Sequence, residues 1–210
     1  AVPPLGEVTK AGLRAVFDGF RYLSGQKILL ASFVVDIVAM VFGMPRALFP
    51  QIAHESFGDP AQGGFALGLL FAAMSVGAVV GGVFSGWLPR VQRQGLAVIV
   101  CIVLWGVAMV GFGAAVWWAE PDRGGLLLWV ALFFLAFGGA VDMVSAAFRS
   151  TMLQTAATDA MRGRLQGVFI VVVAGGPRVA DVLHGLVAGQ VGTAAATIGG
   201  GVLVIIGTLV

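Results

Sequence analysis

The sequence predicts an all-α membrane protein that crosses the bilayer six times, from its composition, its apolar runs and its glycines. Of the 210 residues, 59% are hydrophobic and only 10% are charged, whereas a soluble domain carries about 25% charged residues. The 32 glycines suit close packing of membrane helices. Six apolar runs approach the roughly 20 residues that cross a bilayer: 28–52, 65–87, 96–118, 126–148, 165–186 and 193–210. Residues 28–210 are therefore predicted to form one six-helix transmembrane bundle.

The N-terminal segment, residues 1–27, differs in character from the rest of the chain. It is polar, and its apolar side chains follow helical spacing between basic ones. We interpret it as a cytoplasmic linker whose amphipathic helix lies on the membrane surface, with a regulatory contact as the alternative. The segment lacks the pattern of a cleavable signal peptide, and we expect further chain before Ala1.

The basic residues predict the orientation of the spans. Only Arg123 falls in a loop on one side, and the positive-inside rule places the other side in the cytosol. Both termini are then cytoplasmic, and the expected location is the inner cell membrane. The basic residues of the cytoplasmic side are Lys10, Arg14, Arg21, Lys27, Arg90, Arg93, Arg149, Arg162 and Arg164.

A repeat of three spans is visible in the pattern of charge. In each half the first span carries an acid, Asp36 or Asp142, the second is glycine-rich, and the third is uncharged. Because three is odd, the two halves run in opposite directions across the bilayer. Such inverted repeats are typical of secondary transporters.

Small residues predict where helices approach or break. In the second span they form two rows at four-residue spacing, the small-xxx-small pattern of close helix contact. In the fifth span, Gly175-Gly176-Pro177 is expected to kink or break the helix near mid-membrane, either at a substrate site or only for packing. Pro45 and Pro50 are expected to break the outer part of the first span. The predicted contact rows are Gly64, Gly68 and Ala72, and Ala78, Gly82 and Gly86.

Two stretches resemble the C-terminal six helices of a major facilitator superfamily transporter, in the bacterial enterobactin-exporter and drug-efflux branch. One runs from Asp36 through Met44-Pro45-Arg46 to Pro50, and the other from Arg149 through Thr158-Asp159-Ala160-Met161-Arg162-Gly163-Arg164 to Gly167. The likeness covers nearly the whole chain. It implies one half-bundle of such a transporter, with residues 1–27 as the end of the linker between halves.

The cytoplasmic loops partly keep the superfamily's motif. We assign Arg90, Arg93, Asp159, Arg162 and Arg164 to this motif, with the last three as capping and anchoring residues. One departure matters, because Arg90 stands after Gly86-Trp87-Leu88-Pro89 where the motif has an acid. The gating lock that the motif provides is therefore not implied for this loop.

The candidate site comprises Asp36, Asp142, Ser145 and Arg149. The resemblance implies that the helices of both aspartates line the central cavity, where a carboxylate can exchange a proton or bind a cationic substrate. The alternative is a structural carboxylate bonded to the backbone or to a nearby arginine. Asp142, Ser145 and Arg149 share one helix face at i, i+3 and i+7. For Arg149 the competing interpretation is an interfacial anchor that snorkels to the headgroups.

A second ionic group lies nearer the predicted outer side. Arg178 and Asp181 are spaced i, i+3 and can pair on their own helix. Arg46 lies at a similar depth and competes for Asp181. We interpret these three residues as structural or gating ion pairs.

Several classes of function are not supported by the sequence. His54 and His184 are interpreted as helix-end residues rather than metal ligands, and the single Cys101 excludes a disulfide within the chain. No phosphate-binding loop ending in Lys-Ser or Lys-Thr occurs. No arrangement of nucleophile and base is evident either. We expect no enzyme activity, no cofactor, no metal and no nucleic-acid partner.

The predicted function is proton-coupled export of an amphipathic small molecule, such as a drug or a siderophore. Its expected partners are the substrate, protons, membrane lipid and a second six-helix half, in the same chain or in another subunit. The alternative is a non-transport scaffold in a larger membrane complex. A scaffold would bury the same small-residue faces against another protein.

Overall fold

The computed structural model describes residues 21–119, 124–156 and 159–210, and all regular structure in these ranges is helical. Most of the predicted linker, residues 1–20, lies outside the described residues, as do 120–123 and 157–158. The main α-helices are α1 (Lys27–Gly43), α2 (Phe49–Phe57), α3 (Phe65–Val83), α4 (Gln94–Trp118), α5 (Gly124–Ala156), α6 (Asp159–Val191) and α7 (Thr193–Leu209). A 3-10 helix, Pro45–Leu48, joins α1 to α2, and another, Phe84–Arg90, follows α3.

The fold class predicted from the sequence, an all-α membrane protein, is confirmed. Five segments of the described chain are long and apolar enough to cross a bilayer. A sixth apolar helix, α7, has 17 residues and is shorter than each of these five segments. At about 1.5 Å per residue it spans about 26 Å. The five longer segments are Leu29–Phe57, Phe65–Gly86, Gln94–Trp118, Gly125–Thr155 and Gly167–Val191.

The first span is divided at Met44, where α1 ends. Met44 has φ −114° and ψ 81°, outside the helical region. The cause is Pro45, which lacks an N–H and disfavours helical backbone at the residue before it. Pro50 lies in the first turn of α2, where proline is tolerated. The break therefore comes from Pro45, and Pro50 helps to start the next helix.

The last turn of α1 is tied to two other helices. The Nε2–H of His184 in α6 donates to the carbonyl of Phe42 at 3.0 Å, and so satisfies one of the carbonyls left free at a helix end. In α7, a Cβ at Gly200 would collide with that same carbonyl. The predicted helix-end role of His184 is wrong, because α6 continues to Val191 and the buried imidazole bonds across helices.

The fifth span shows no break at the expected site. The helix α6 is continuous through Pro177, whose fixed φ is compatible with a helix and whose missing N–H removes one hydrogen bond. Of the two preceding glycines, Gly176 lies at a close helix contact, whereas a Cβ at Gly175 would have nothing within 4 Å. A Cβ at Gly176 would lie 3.1 Å from the Cβ of Met40 in α1, tighter than ordinary contact.

The second predicted span packs through a different row of small residues from either predicted row. A Cβ at Gly77 would collide with the carbonyl of Ala136 in α5, and one at Gly81 would lie 2.5 Å from the carbonyl oxygen of Ala140. By contrast, a Cβ at Gly68 or Gly86 would have nothing within 4 Å. A glycine-rich helix offers small-xxx-small patterns on several faces, so the sequence alone does not select one. The buried row of α3 is Ala66, Leu70, Ala73, Gly77 and Gly81.

The helix α4 lies at the centre of the packing, between α5 and α7. Its side chains Trp105, Met109 and Phe112 are buried, and the ring of Phe112 meets the ring of Phe49 in α2 edge-on at 5.9 Å. Small residues again let backbones approach, since a Cβ at Gly106 would lie 2.9 Å from the carbonyl oxygen of Gly201 in α7. This core holds α5 in place against α3 and α4.

Candidate functional site

A buried ionic cluster joins α1 to α5. Arg149 forms an ion pair with Asp36 through Nη1, and its Nη2 lies 3.9 Å from Oδ1 of Asp142. Asp36 and Arg149 are 2% and 7% exposed, while the side chain of Asp142 is 40% exposed. One guanidinium is therefore shared between two carboxylates, one enclosed and one accessible. We call Asp36, Asp142 and Arg149 the Arg149 cluster.

Arg149 occupies a different environment from that of an interfacial anchor. The span was predicted to end at Phe148, but α5 continues to Ala156. Arg149 is therefore inside the helix, facing α1. A charge at such a position is costly unless it is paired, and Asp36 provides the pairing. The interpretation of Arg149 as a snorkelling anchor is wrong.

Ser145 lies on the same face of α5, as its spacing predicted, and is 2% exposed. Its Oγ has no hydrogen-bond partner among the described residues, and neither does Nε of Arg149. Most buried polar atoms in proteins are hydrogen-bonded, so such exceptions require an explanation. Both atoms can therefore form further hydrogen bonds next to the two carboxylates.

Asp142 opens onto a groove made of two neighbouring cavities. The Asp142 cavity, of about 230 Å³, is lined by Asp142, Arg46, Phe71, Met44 and further residues of α3 and α5. The Arg178 cavity, of about 450 Å³, is lined by Arg46, Phe71, Arg178, Asp181 and three apolar residues. Arg46 and Phe71 belong to both walls. The groove thus carries a carboxylate at one end and guanidinium groups toward the other.

The second predicted ionic group is assembled in the Arg178 cavity. Arg178 Nη1 lies 3.9 Å from Oδ2 of Asp181, and the Arg178 side chain is 86% exposed. In the part of the chain that the structure covers, no carboxylate forms an ion pair with Arg46. Of the two arginines considered for Asp181, the nearer partner is therefore Arg178.

The loop residues predicted to form the cytoplasmic motif are only partly described. Arg90 ends the second 3-10 helix, and both Arg90 and Arg93 are exposed. Asp159, Arg162 and Arg164 lie in the first turns of α6, and their side chains are outside the described set. Arg90 and Arg93 form no ion pair within the described ranges.

The loop between α2 and α3 contains a helix cap that was not predicted from the sequence. The Asp59 carboxylate accepts the backbone N–H groups of Ala66, at 3.2 Å, and Leu67, at 2.8 Å. It thereby satisfies two free donors in the first turn of α3. An N-cap normally stands directly before its helix, whereas Asp59 is seven residues from Ala66, so no local pattern identifies it.

The two histidines form hydrogen bonds in different helices. His54 is in the last turn of α2, as predicted, and its Nδ1 lies 2.6 Å from the carbonyl oxygen of Asp59. His184 bonds Phe42 as described above. Among the described residues, no group of three or more His, Cys, Asp or Glu side chains could hold a metal ion. Cys101 is buried and unpaired.

The chain is similar along its full length to named bacterial exporters. It is 29% identical over 210 residues to the enterobactin exporter EntS of Citrobacter koseri. It is 31% identical over 216 residues to the EntS proteins of Escherichia coli O81 and Escherichia coli O1:K1. Each alignment covers 100% of this chain and 47% of the exporter. The chain thus spans about half the length of these curated relatives. No protein-family model matches the chain, and no solved structure is significantly similar to it.

The relatives are named as transporters rather than enzymes, in agreement with the expectation that the chain is not an enzyme. Together with the apolar helices, they establish a multi-pass membrane protein. The resemblance predicted from the sequence is thereby confirmed: the chain is similar throughout to one half of an enterobactin exporter of the major facilitator superfamily.

Proposed function

We propose that this chain is the C-terminal half of a secondary transporter that exports an amphipathic small molecule, of the siderophore class, in exchange for protons. The names of the relatives support export of such a molecule. The observation that carries the proposal is the Arg149 cluster, in which an accessible carboxylate shares its counter-ion with an enclosed one.

The charges of the cluster explain why it would take up a proton. Two ionised carboxylates and one guanidinium leave one excess negative charge in a largely buried position. Burial disfavours such a charge, and a single proton neutralises it. Asp142 is the acceptor, because it lines the groove while Asp36 is enclosed and paired with Arg149.

Protonation of Asp142 would alter the attraction between helices. Neutral Asp142 no longer competes with Asp36 for Arg149, so the guanidinium is held by α1 alone. Ionised Asp142 attracts the guanidinium away from Asp36 and toward its own position on α5. The two arrangements differ in whether the guanidinium is held by Asp36 alone or is also attracted by Asp142. A proton that binds one of them more strongly shifts the population toward it. Coupling of proton entry to substrate exit requires such a shift.

The organisation of the complete transporter follows from the same proposal. A second six-helix half, in the same longer chain or in another subunit, covers the groove of this half. The bundle lies in the inner cell membrane with residues 28–210 as its transmembrane part, 1–27 as a cytoplasmic linker and both ends in the cytosol. Protons, lipid and the exported molecule are its partners.

Single cysteines at exposed loop positions test this orientation. In a Cys101→Ala background, we expect Arg93→Cys to react with a membrane-impermeant maleimide only from the cytosolic side. Gln62→Cys should react only from the outside. Both side chains are exposed, whereas a cysteine at Asp59 would remove a helix cap. Labelling of both positions from the same side would contradict the proposed orientation.

Asp142→Asn tests proton coupling, because asparagine mimics the protonated carboxyl group permanently. In the complete transporter reconstituted in vesicles, the variant should still exchange enterobactin down its own gradient. It should lose accumulation driven by an imposed pH difference, by at least about tenfold if the proton is carried here alone. The measurements are enterobactin flux and substrate-dependent proton flux in the same vesicles.

Two control variants belong with this experiment. Glu55→Gln removes an exposed carboxylate whose hydrogen bond is to Gln51, and it should leave coupling unchanged. Asp36→Asn should affect coupling less than Asp142→Asn does. Full pH-driven accumulation by Asp142→Asn would show that the carboxylate is structural.

A further inference from the structure

The Arg178 cavity carries an excess of positive charge among its described lining residues. Arg46 and Arg178 contribute two guanidinium groups, and Asp181 contributes one carboxylate. The remaining lining residues, Ala47, Phe71, Ala174 and Pro177, are apolar. This end of the groove is therefore a cationic pocket with apolar walls, whereas the other end carries Asp142.

Asp181 leaves most of this positive charge available. Its oxygen is 3.9 Å from Arg178, whose side chain is largely exposed, and pairs of this kind contribute little. A guanidinium has five N–H donors in a planar fork that matches an anionic group with two oxygens. Nearly all the donors of Arg178 remain available, and Arg46 forms no ion pair with any described carboxylate.

The backbone around Arg46 favours a binding role. Arg46 follows the break at Met44, in the 3-10 turn between α1 and α2. Interrupted helices form the substrate sites of many transporters. Phe71 lines both cavities beside Arg46, and an aromatic face next to a guanidinium suits a ring that stacks on either.

We propose that Arg46 and Arg178 form an anion-binding subsite for the negatively charged, aromatic end of the exported molecule, with Phe71 contacting its ring. This inference rests on the proposed function, since it assigns a substrate class to the same groove. It differs from the prediction that the three residues of this cavity form only structural or gating pairs. It assigns an anionic group to this cavity, because two guanidinium groups there face one carboxylate.

A matched series of naphthalene compounds tests the charge preference. The probes are naphthalene-2-sulfonate, naphthalene-2-carboxamide and 2-naphthyltrimethylammonium, which share a ring and differ in charge. Equilibrium binding to the complete transporter in lipid nanodiscs should be strongest for the sulfonate. Replacing Arg46 or Arg178 with glutamine should weaken sulfonate binding about tenfold each and leave carboxamide binding unchanged.

Three controls separate binding from folding and from general charge. Arg46→Lys keeps the charge but loses the planar fork, so its sulfonate binding should lie between those of the unsubstituted protein and Arg46→Gln. Arg90→Gln removes an exposed arginine outside the groove and should have no effect. Thermal unfolding of each variant identifies any loss of binding that comes from loss of structure.

The outcomes distinguish this inference from the proposed function. Equal binding of the three probes, or unchanged sulfonate binding in both glutamine variants, would overturn the anion-binding subsite. Either result leaves the transporter proposal intact if pH-driven enterobactin export persists in the same preparation. The subsite would be supported if Arg46→Gln and Arg178→Gln both lose the preference for the sulfonate while Arg90→Gln keeps it.

Discussion

Replacing Arg149 with methionine should lower the free energy of unfolding by about 3–5 kcal/mol, the cost of leaving a buried charge without its partner. Methionine keeps much of the side-chain volume but removes the guanidinium that pairs Asp36. Asp36 is 2% exposed and cannot reach water for compensation. Unfolding by sodium dodecyl sulfate in mixed micelles, followed by helical circular dichroism, measures the change.

A second substitution gives this prediction its control. Adding Asp36→Asn to Arg149→Met removes the orphaned charge and should restore part of the lost stability, so the two effects are not additive. Adding Asp142→Asn should restore less, because that carboxylate is 3.9 Å from the guanidinium and is partly exposed. Arg93→Met, at an exposed position, should be near neutral. Simple additivity of Arg149→Met and Asp36→Asn would contradict the pairing.

Gly77→Ala should destabilise the bundle by about 3 kcal/mol, at the upper end of the range for overpacking. The added methyl group collides with the backbone carbonyl of Ala136. A backbone atom cannot move aside as a flexible side chain can, so α3 and α5 must separate along their contact. The same unfolding measurement applies, and Gly139→Ala, which collides with the Met74 carbonyl from the facing helix, should behave alike.

Gly68→Ala provides a matched comparison in the same helix. It adds the same methyl group and the same helix propensity, but nothing lies within 4 Å of the new atom. We expect it to be neutral or slightly stabilising. Equal stability of Gly77→Ala and Gly68→Ala would show that α3 does not meet α5 through the observed row.

The sequence predicted the fold class well and the helix ends poorly. Apolar runs indicate which residues can face lipid, so they predicted the positions of the helices along the chain. They do not report where a helix stops, so α5 was predicted to end at Phe148 rather than at Ala156. That one boundary decided how Arg149 was interpreted. Proline marked a true break at Pro45, where the chain leaves the helix, whereas the helix continues through Pro177.

The candidate site was predictable only within single helices. The shared face of Asp142, Ser145 and Arg149 follows from spacing along α5. The pairing of Arg149 with Asp36 joins α1 to α5, and no local pattern encodes it. The bond from His184 to Phe42 is also a contact between distant segments. Such pairings depend on how helices are arranged in space, which one unaligned sequence does not specify.

The junction at Phe42 determines where the first span can bend. His184 and Gly200 hold the last turn of α1 against α6 and α7, and Met44 alone separates α1 from the next helical turn. A swing of residues 45–57 relative to α1 therefore has its pivot at Met44. Arg46 would move with residues 45–57, while Asp142, at the acidic end of the groove, stays with α5. Rotation about Met44 would change the distance between the cationic and acidic ends of the groove. A molecule that contacts both ends would then bind the two conformations with different affinity.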